Sequence, residues 1–334
     1  MTDTTSYIEE ACTLAVTGWT IPAALTMPAQ RPAGAPPPSA ILLVPGSLFS
    51  DVNGDYPTWN SFPHTYAHLA RQLSARGHAV YRFAKLGPGT GSVPTDPKLS
   101  ATLRNWDGRL TIAEAALDAM QRELDARDVT AERIIAAGHS EGSVVVSRLA
   151  VSDRASDLDG IILLSGPSVG ILEIMREQVG FGLQRDQVDD ARRRLGEAIE
   201  LVRRGEPIPQ ALVQGPGMGI GALASMPEEG RRYMRDVDAT DPIHLAREMK
   251  QPVLIVQGGK DTSVPTHHAE ALRAALLARE SGEARTTYEF VPDVSHMYKV
   301  VPPHISGPEA FGYPGETDAR VVDAIDRWVR ALVP

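Results

Sequence analysis

The stretch Arg133-Ile-Ile-Ala-Ala-Gly-His-Ser-Glu-Gly142 leaves this chain few ways to fold. The apolar run 134–137 leads directly into Gly138-His139-Ser140-Glu141-Gly142, and an amphipathic stretch, 143–151, follows at once. A short apolar run fits a buried strand, and apolar residues at helical spacing fit a helix. The sequence therefore predicts a strand, a tight turn carrying a serine, and a helix. The two glycines leave room where strand and helix pass close together. The G-x-S-x-G spacing suits a turn that projects the Ser140 hydroxyl out of the sheet. The pentapeptide alone also fits a plain surface turn, so a base, an orienting acid and an oxyanion-binding loop must be found elsewhere.

The flanking sequence has the matching rhythm. Strands are predicted over 10–17, 20–27, 40–44, 78–83, 160–165, 252–257 and 286–291, and helices over 65–76, 110–126, 266–280 and 317–332. Strands alternating with helices call for a mostly parallel, twisted sheet covered on both faces, an α/β fold. The rhythm breaks between 166 and 250, where no strand is evident. Helix-like pieces at 169–178, 185–204, 208–213 and 227–237 surround a flexible glycine-rich run, 215–222. The expectation is one core built from 1–166 and 250–334, interrupted by a helical cap, 167–249. Within the cap, Ile171, Ile174, Met175, Val179, Phe181, Met218, Ile220 and Met226 either line an apolar pocket or pack the cap. Arg192, Arg193, Arg194, Arg203 and Arg204 are expected on a solvated helix face, because Glu197, Glu200 and Glu206 sit among them.

Composition narrows the partners. A formal net charge of -9 over 334 residues provides no basic excess to neutralise phosphates, which argues against nucleic acid. The single cysteine, Cys12, excludes an intrachain disulfide and a cysteine-rich metal site, and is expected to be a buried strand residue. No apolar run approaches the length of a membrane span. The polar, acidic start lacks the features of a signal peptide, so a cytoplasmic protein is expected. The oligomeric state stays open, a homodimer included.

A serine hydroxyl is a poor nucleophile until a neutral imidazole accepts its proton and a carboxylate orients that imidazole. Of nine histidines, His296 follows the last predicted strand and opens a loop, at the same sheet edge as Ser140. His139 is expected to point elsewhere from its tight turn, and His267 and His268 to lie exposed at a helix start. His64, His68, His78, His244 and His304 have no strand-end context. Asp261, in the glycine-rich turn after strand 252–257, gives the order Ser…Asp…His. Asp293 is the alternative acid, on the same loop as His296. Two backbone amides are needed for an oxyanion. Glu141 supplies one, and Ser47 or Leu48, in the loop after strand 40–44, the other.

With these residues in place the chain resembles the α/β-hydrolase superfamily. Pro45-Gly-Ser-Leu-Phe-Ser-Asp-Val-Asn-Gly-Asp55 is similar to the P/A-G-S-G-x-x-D-x-(D/N)-G loop of dienelactone-hydrolase-like and prolyl-oligopeptidase-like esterases. Tyr81-Arg-Phe-Ala-Lys-Leu-Gly87 resembles their Y-D-x-R-G loop, and Leu164-Ser-Gly-Pro167 the entry to their cap. The chain departs from the pattern at Leu48, where G-S-G has its second glycine, and at Phe83 and Leu86. The resemblance implies an α/β-hydrolase fold and a serine hydrolase acting on a small-molecule carboxylic ester without metal or organic cofactor. A thioesterase or acyltransferase using the same triad is the alternative. A peptidase and a non-catalytic ligand-binding relative follow behind.

Overall fold

The computed structural model describes residues 6–30, 37–180, 182–217 and 219–332. Phe181 and Met218 of the expected cap lining, and 31–36 of the loop after the second strand, lie outside them. Among the described residues one sheet holds nine strands: β1 (Tyr7–Val16), β2 (Trp19–Pro28), β3 (Ala40–Val44), β4 (Ala79–Phe83), β5 (Val93–Pro94), β6 (Ile134–His139), β7 (Gly160–Leu164), β8 (Val253–Gly258) and β9 (Thr286–Val291). Their order is β1-β2-β4-β3-β6-β7-β8-β9, with β5 paired to β2. The strands from β4 to β9 along this order are parallel, and β1, β2 and β5 add antiparallel pairs at one edge.

The central strands are apolar on both faces because both are covered. Leu42, Ala136, Ile161 and Ile255 pack on one side, beneath helices Trp106–Asp125, Glu141–Leu149 and Thr266–Leu277. Their neighbours Ile41, Ile135, Ile162 and Leu254 pack on the other, beneath helices Thr65–Ala75 and Ala319–Ala331. Alternate residues of one strand thus enter two different cores, the period-two rule at work on a buried sheet.

Topology also places the site. From β3 the chain crosses to β4 on one side, whereas β6 lies on its other side and leads on to β7. The direction of travel across the sheet reverses between β3 and β6, so a site is expected at the carboxyl ends of these two strands. The loop after β3 and the Ser140 turn stand at that edge.

The segment between β7 and β8 holds no strand among the described residues. Its helices are Ile171–Gln178, Arg185–Arg204, Gln210–Val213, Ile220–Ser225, Glu228–Asp238 and Pro242–Glu248. Leu172, Val179, Leu195, Ile199, Val202, Ile220 and Leu223 form a small apolar core of their own there, with Ile171 and Met175 packed against it. These side chains mostly fill their own segment rather than wall a pocket. Arg193 and Arg204 are exposed as expected, but Arg194 is buried: it pairs with Asp190 at 2.7 Å and donates to the Leu212 carbonyl. Cys12 is half-buried rather than buried, because β1 is an edge strand with a largely exposed face. Among the described residues no helix is long and apolar enough to cross a membrane.

Candidate active site

Ser140 sits between β6 and helix Glu141–Leu149 with φ 55° and ψ −124°, a backbone conformation that side chains other than glycine rarely adopt. The surrounding packing holds it there. The Ser140 amide donates to the Leu164 carbonyl at the end of β7, at 2.8 Å. A Cβ at Gly138 would lie 2.1 Å from the Gly142 carbonyl oxygen, and one at Gly142 would lie 2.4 Å from that of Val44. Both elbow positions therefore require glycine. Gly46 is tight as well, though less so: a Cβ there would lie 2.9 Å from the His139 carbonyl oxygen and 3.1 Å from the Ser140 Cβ. The loop after β3 thus touches the serine turn.

His296 and Asp261 meet as the sequence predicts. His296 Nδ1 lies 2.8 Å from Asp261 Oδ2, and both residues are about 5% exposed. The other carboxylate oxygen of Asp261 accepts the amides of Ser263 (3.0 Å) and Val264 (2.8 Å), which fixes the rotamer. His296 stands on a tight hairpin closed by the Val294–Val300 bridge and the Ser295 amide on the Lys299 carbonyl. Tyr298, fully buried with φ 55°, ties that hairpin to the sheet by donating to the Val256 carbonyl. Asp293 points away to pair with Arg320 at 2.7 Å on the surface.

His139 does not turn away. Its ring lies 4.6 Å from that of His296, and its Nε2 lies 2.9 Å from the His296 carbonyl oxygen. A carbonyl only accepts, so the proton is on Nε2 and Nδ1 is the acceptor. The Tyr66 hydroxyl donates to that Nδ1 at 3.2 Å and accepts the Gly46 amide at 2.9 Å. One chain of hydrogen bonds thus joins the loop after β3, the serine turn and the histidine hairpin. Burial, reinforced by His296, pushes the His139 imidazole down to about 3, so it stays neutral in this role.

A second group was missed because its members are far apart in sequence. The Glu141 carboxylate is 4% exposed and meets Lys85 Nζ at 2.8 Å, the Tyr233 hydroxyl at 2.9 Å, Ser47 Oγ at 3.3 Å and Arg109 Nε at 3.5 Å. Burial would raise the Glu141 carboxyl, but Lys85 and Arg109 outweigh it and hold it below the ordinary carboxylate range. The Gly46 amide is already bonded to Tyr66, whereas the amides of Ser47 and Leu48 have no hydrogen-bond partner among the described residues. Leu48 occupies φ 66°, the backbone shape that the missing glycine would take freely.

His268 is fully buried, contrary to the exposed position expected of it, because helix Ile171–Gln178 lies over it. Glu177, His267 and His268 bring three potential metal ligands within 4.8 Å of one another. Hydrogen bonds already account for this cluster. His268 Nδ1 accepts from the Ser168 amide (3.3 Å) and meets Ser168 Oγ (2.9 Å), which leaves the proton on Nε2, facing Glu177 at 3.1 Å. A protonated nitrogen is not a metal ligand. The cluster reads as a fastener between helices Ile171–Gln178 and Thr266–Leu277.

Comparison with known proteins agrees with this architecture. The family model described as "Alpha/beta hydrolase family" matches residues 41–311. Esterase EstD of Thermotoga maritima is 25% identical over 303 residues, which are 89% of this chain and 63% of that protein. The chain thus spans less than two thirds of this relative's length. Among solved structures, Est1E from Butyrivibrio proteoclasticus superposes with a TM-score of 0.55 at 18% identity, over 96% of this chain and 97% of that one. The Pyrococcus furiosus esterase PF2001 gives 0.53 at 13%, over 97% and 92%. An acylaminoacyl peptidase from Pyrococcus horikoshii gives 0.56 at 12%, over 99% of this chain and 42% of that one. At these identities the structures share the fold.

Proposed function

Because the chain belongs to the alpha/beta hydrolase family, we propose that it is a serine hydrolase that cleaves a small-molecule carboxylic ester through an acyl-enzyme. The buried His296–Asp261 hydrogen bond, at the sheet edge where the strained Ser140 turn stands, is the observation that carries this. Ser140 Oγ attacks the acyl carbonyl while His296 Nε2 takes its proton. Asp261 holds Nδ1–H, so that Nε2 is the free acceptor. His296 then protonates the leaving alcohol, and a water activated by the same imidazole releases the acid.

The oxyanion is received by the Glu141 amide and, of the two candidates in the loop after β3, by that of Ser47. Arg109 reaches the carbonyls of Pro45 and Gly46, at 2.5 and 3.5 Å. A trans peptide points its N–H opposite to its C=O. The Ser47 amide therefore faces away from Arg109, and Leu48 is left to shape the rim. The core of 1–166 and 250–334 supplies these groups, and the cap of 167–249 roofs the site. EstD, named as an esterase, supports an ester as substrate.

Ser140→Ala should abolish turnover of p-nitrophenyl butyrate, and a fluorophosphonate should label wild type on Ser140 but not the variant. Undiminished turnover in Ser140→Ala sinks the proposal.

A further inference from the structure

Glu141 needs only its amide for an oxyanion hole, yet its carboxylate is the hub of the buried group described above. The partners come from four separate parts of the chain: Lys85 after β4, Arg109 on helix Trp106–Asp125, Ser47 after β3, and Tyr233 on helix Glu228–Asp238 in the cap. We propose that Lys85, Arg109, Glu141 and Tyr233 are one positioning unit for ester cleavage: it sets the oxyanion loop, leaves one net positive charge behind that loop, and fastens both to the cap through the Tyr233 hydroxyl. This rests on the serine-hydrolase mechanism above.

Three observations support the unit. Arg109 orients the oxyanion loop through its carbonyls and is itself steered by Glu141, so removing the Glu141 charge releases both. Two cations share one carboxylate, and Arg109 Nε is buried without a hydrogen-bond partner among the described residues. A buried charge is ordinarily paired. The surplus here is matched only when negative charge develops on the acyl oxygen, and an interaction made only then acts on kcat rather than KM. Finally, the Tyr233 bond to Glu141 joins the cap to the residue that follows the nucleophile.

Lys85 is the member that titrates near neutrality. Burial pulls its ammonium down to about 8, against the opposing pull of Glu141. The charged and titratable groups facing it are Glu141, Arg109 and Tyr233, whose ring centroid lies 5.9 Å from the ammonium. The kcat profile should accordingly fall on the alkaline side near pH 8.

The test uses the full chain and p-nitrophenyl butyrate, with kcat, KM, pH profile and melting temperature measured for Lys85→Met, Lys85→Arg, Tyr233→Phe and the double variant Lys85→Met/Tyr233→Phe. Lys85→Met should lower kcat about 10- to 100-fold with KM within about threefold, less than or equal to the loss of a direct oxyanion donor. Lys85→Arg should restore most of kcat and move the alkaline limb above the accessible range, since a guanidinium stays charged. Tyr233→Phe should cost about three- to tenfold in kcat, and the double variant about as much as Lys85→Met alone, because both act through one carboxylate. An unchanged alkaline limb in Lys85→Arg, a loss confined to KM, or strictly multiplicative losses in the double variant overturn the unit. If Lys85→Met does not fold, the pH profile of Lys85→Arg and the kcat of Tyr233→Phe decide alone. With Ser140→Ala inactive, such results remove only the positioning unit; an active Ser140→Ala removes the hydrolase mechanism instead.

Discussion

Asp261→Asn should disable this protein by changing where one proton sits while leaving the fold intact. Asp261 Oδ1 accepts two backbone amides, from Ser263 and Val264, while Oδ2 faces His296 Nδ1 at 2.8 Å. An asparagine here has one oxygen and one NH2 group. Turning the NH2 toward the two loop amides would forfeit two hydrogen bonds, about 1 kcal/mol each. The oxygen therefore stays with the loop and the NH2 faces Nδ1. The imidazole must then accept at Nδ1 and carry its proton on Nε2, the nitrogen that should receive the Ser140 proton. The same change in a serine-protease triad lowers kcat about 10⁴-fold, which is about 5 kcal/mol in the barrier. Steady-state kinetics on p-nitrophenyl butyrate, with the melting temperature as a control for folding, measure it. Asp293→Asn is the companion, since that carboxylate only pairs with Arg320 on the surface, and it should stay within about twofold of wild type. An Asp261→Asn enzyme within tenfold of wild type, or an inactive Asp293→Asn, would refute the assignment.

Two predictions concern stability. Leu48→Gly should stabilise the protein by roughly 0.5–1 kcal/mol, because Leu48 holds φ 66° while about a third exposed, so relief of strain outweighs the extra freedom of glycine in the unfolded chain; a melting temperature below wild type contradicts this. Acidification should destabilise the fold between pH 7 and 5. Burial depresses His139 to about 3 and His68 to about 4 and also lowers His78 and His268. Near pH 6, ordinary for an unfolded imidazole, the unfolded chain binds more protons than the folded one, so stability is present above about 6.5 and is lost as pH falls. Melting temperatures that stay flat or rise over that window run against this linkage.

The sheet was legible because its central strands are short runs apolar on both faces, and β3 and β9 fall where the pattern puts them. Strand β1 begins earlier than its pattern suggests, since an edge strand need not alternate to pair with β2. Helices Pro97–Ala101 and Pro242–Glu248 escaped notice because they are short, although an Asp–Pro pair starts each, with the aspartate capping it. Ser140, Asp261 and His296 could be picked out because each follows a strand, and parallel strands bring such positions to one edge. His139, Tyr66, Lys85, Arg109 and Tyr233 could not. Their roles come from contacts such as Lys85 to Glu141 and Tyr233 to Glu141, 56 and 92 residues apart, which no local pattern encodes. His268 was misjudged for the same reason: the helix that covers it lies 91 residues away along the chain at Glu177.

The small apolar core of the segment between β7 and β8 has an evolutionary consequence. Leu172, Leu195, Ile199 and Val202 satisfy one another and do not belong to either core of the sheet. Substitutions among them can drift without disturbing the strands that position Ser140, Asp261 and His296. The ties that hold this segment to the sheet include Gln178 on the Ser263 carbonyl, Glu177 and Ser168 on His268, Tyr233 on Glu141, Thr240 on the Trp106 indole, and the apolar heel of Val237, Ala246 and Met249 that joins the sheet core. A lineage could therefore exchange much of this segment while inheriting the sheet beneath it unchanged. A chimera built for that purpose should keep those ties and vary the rest.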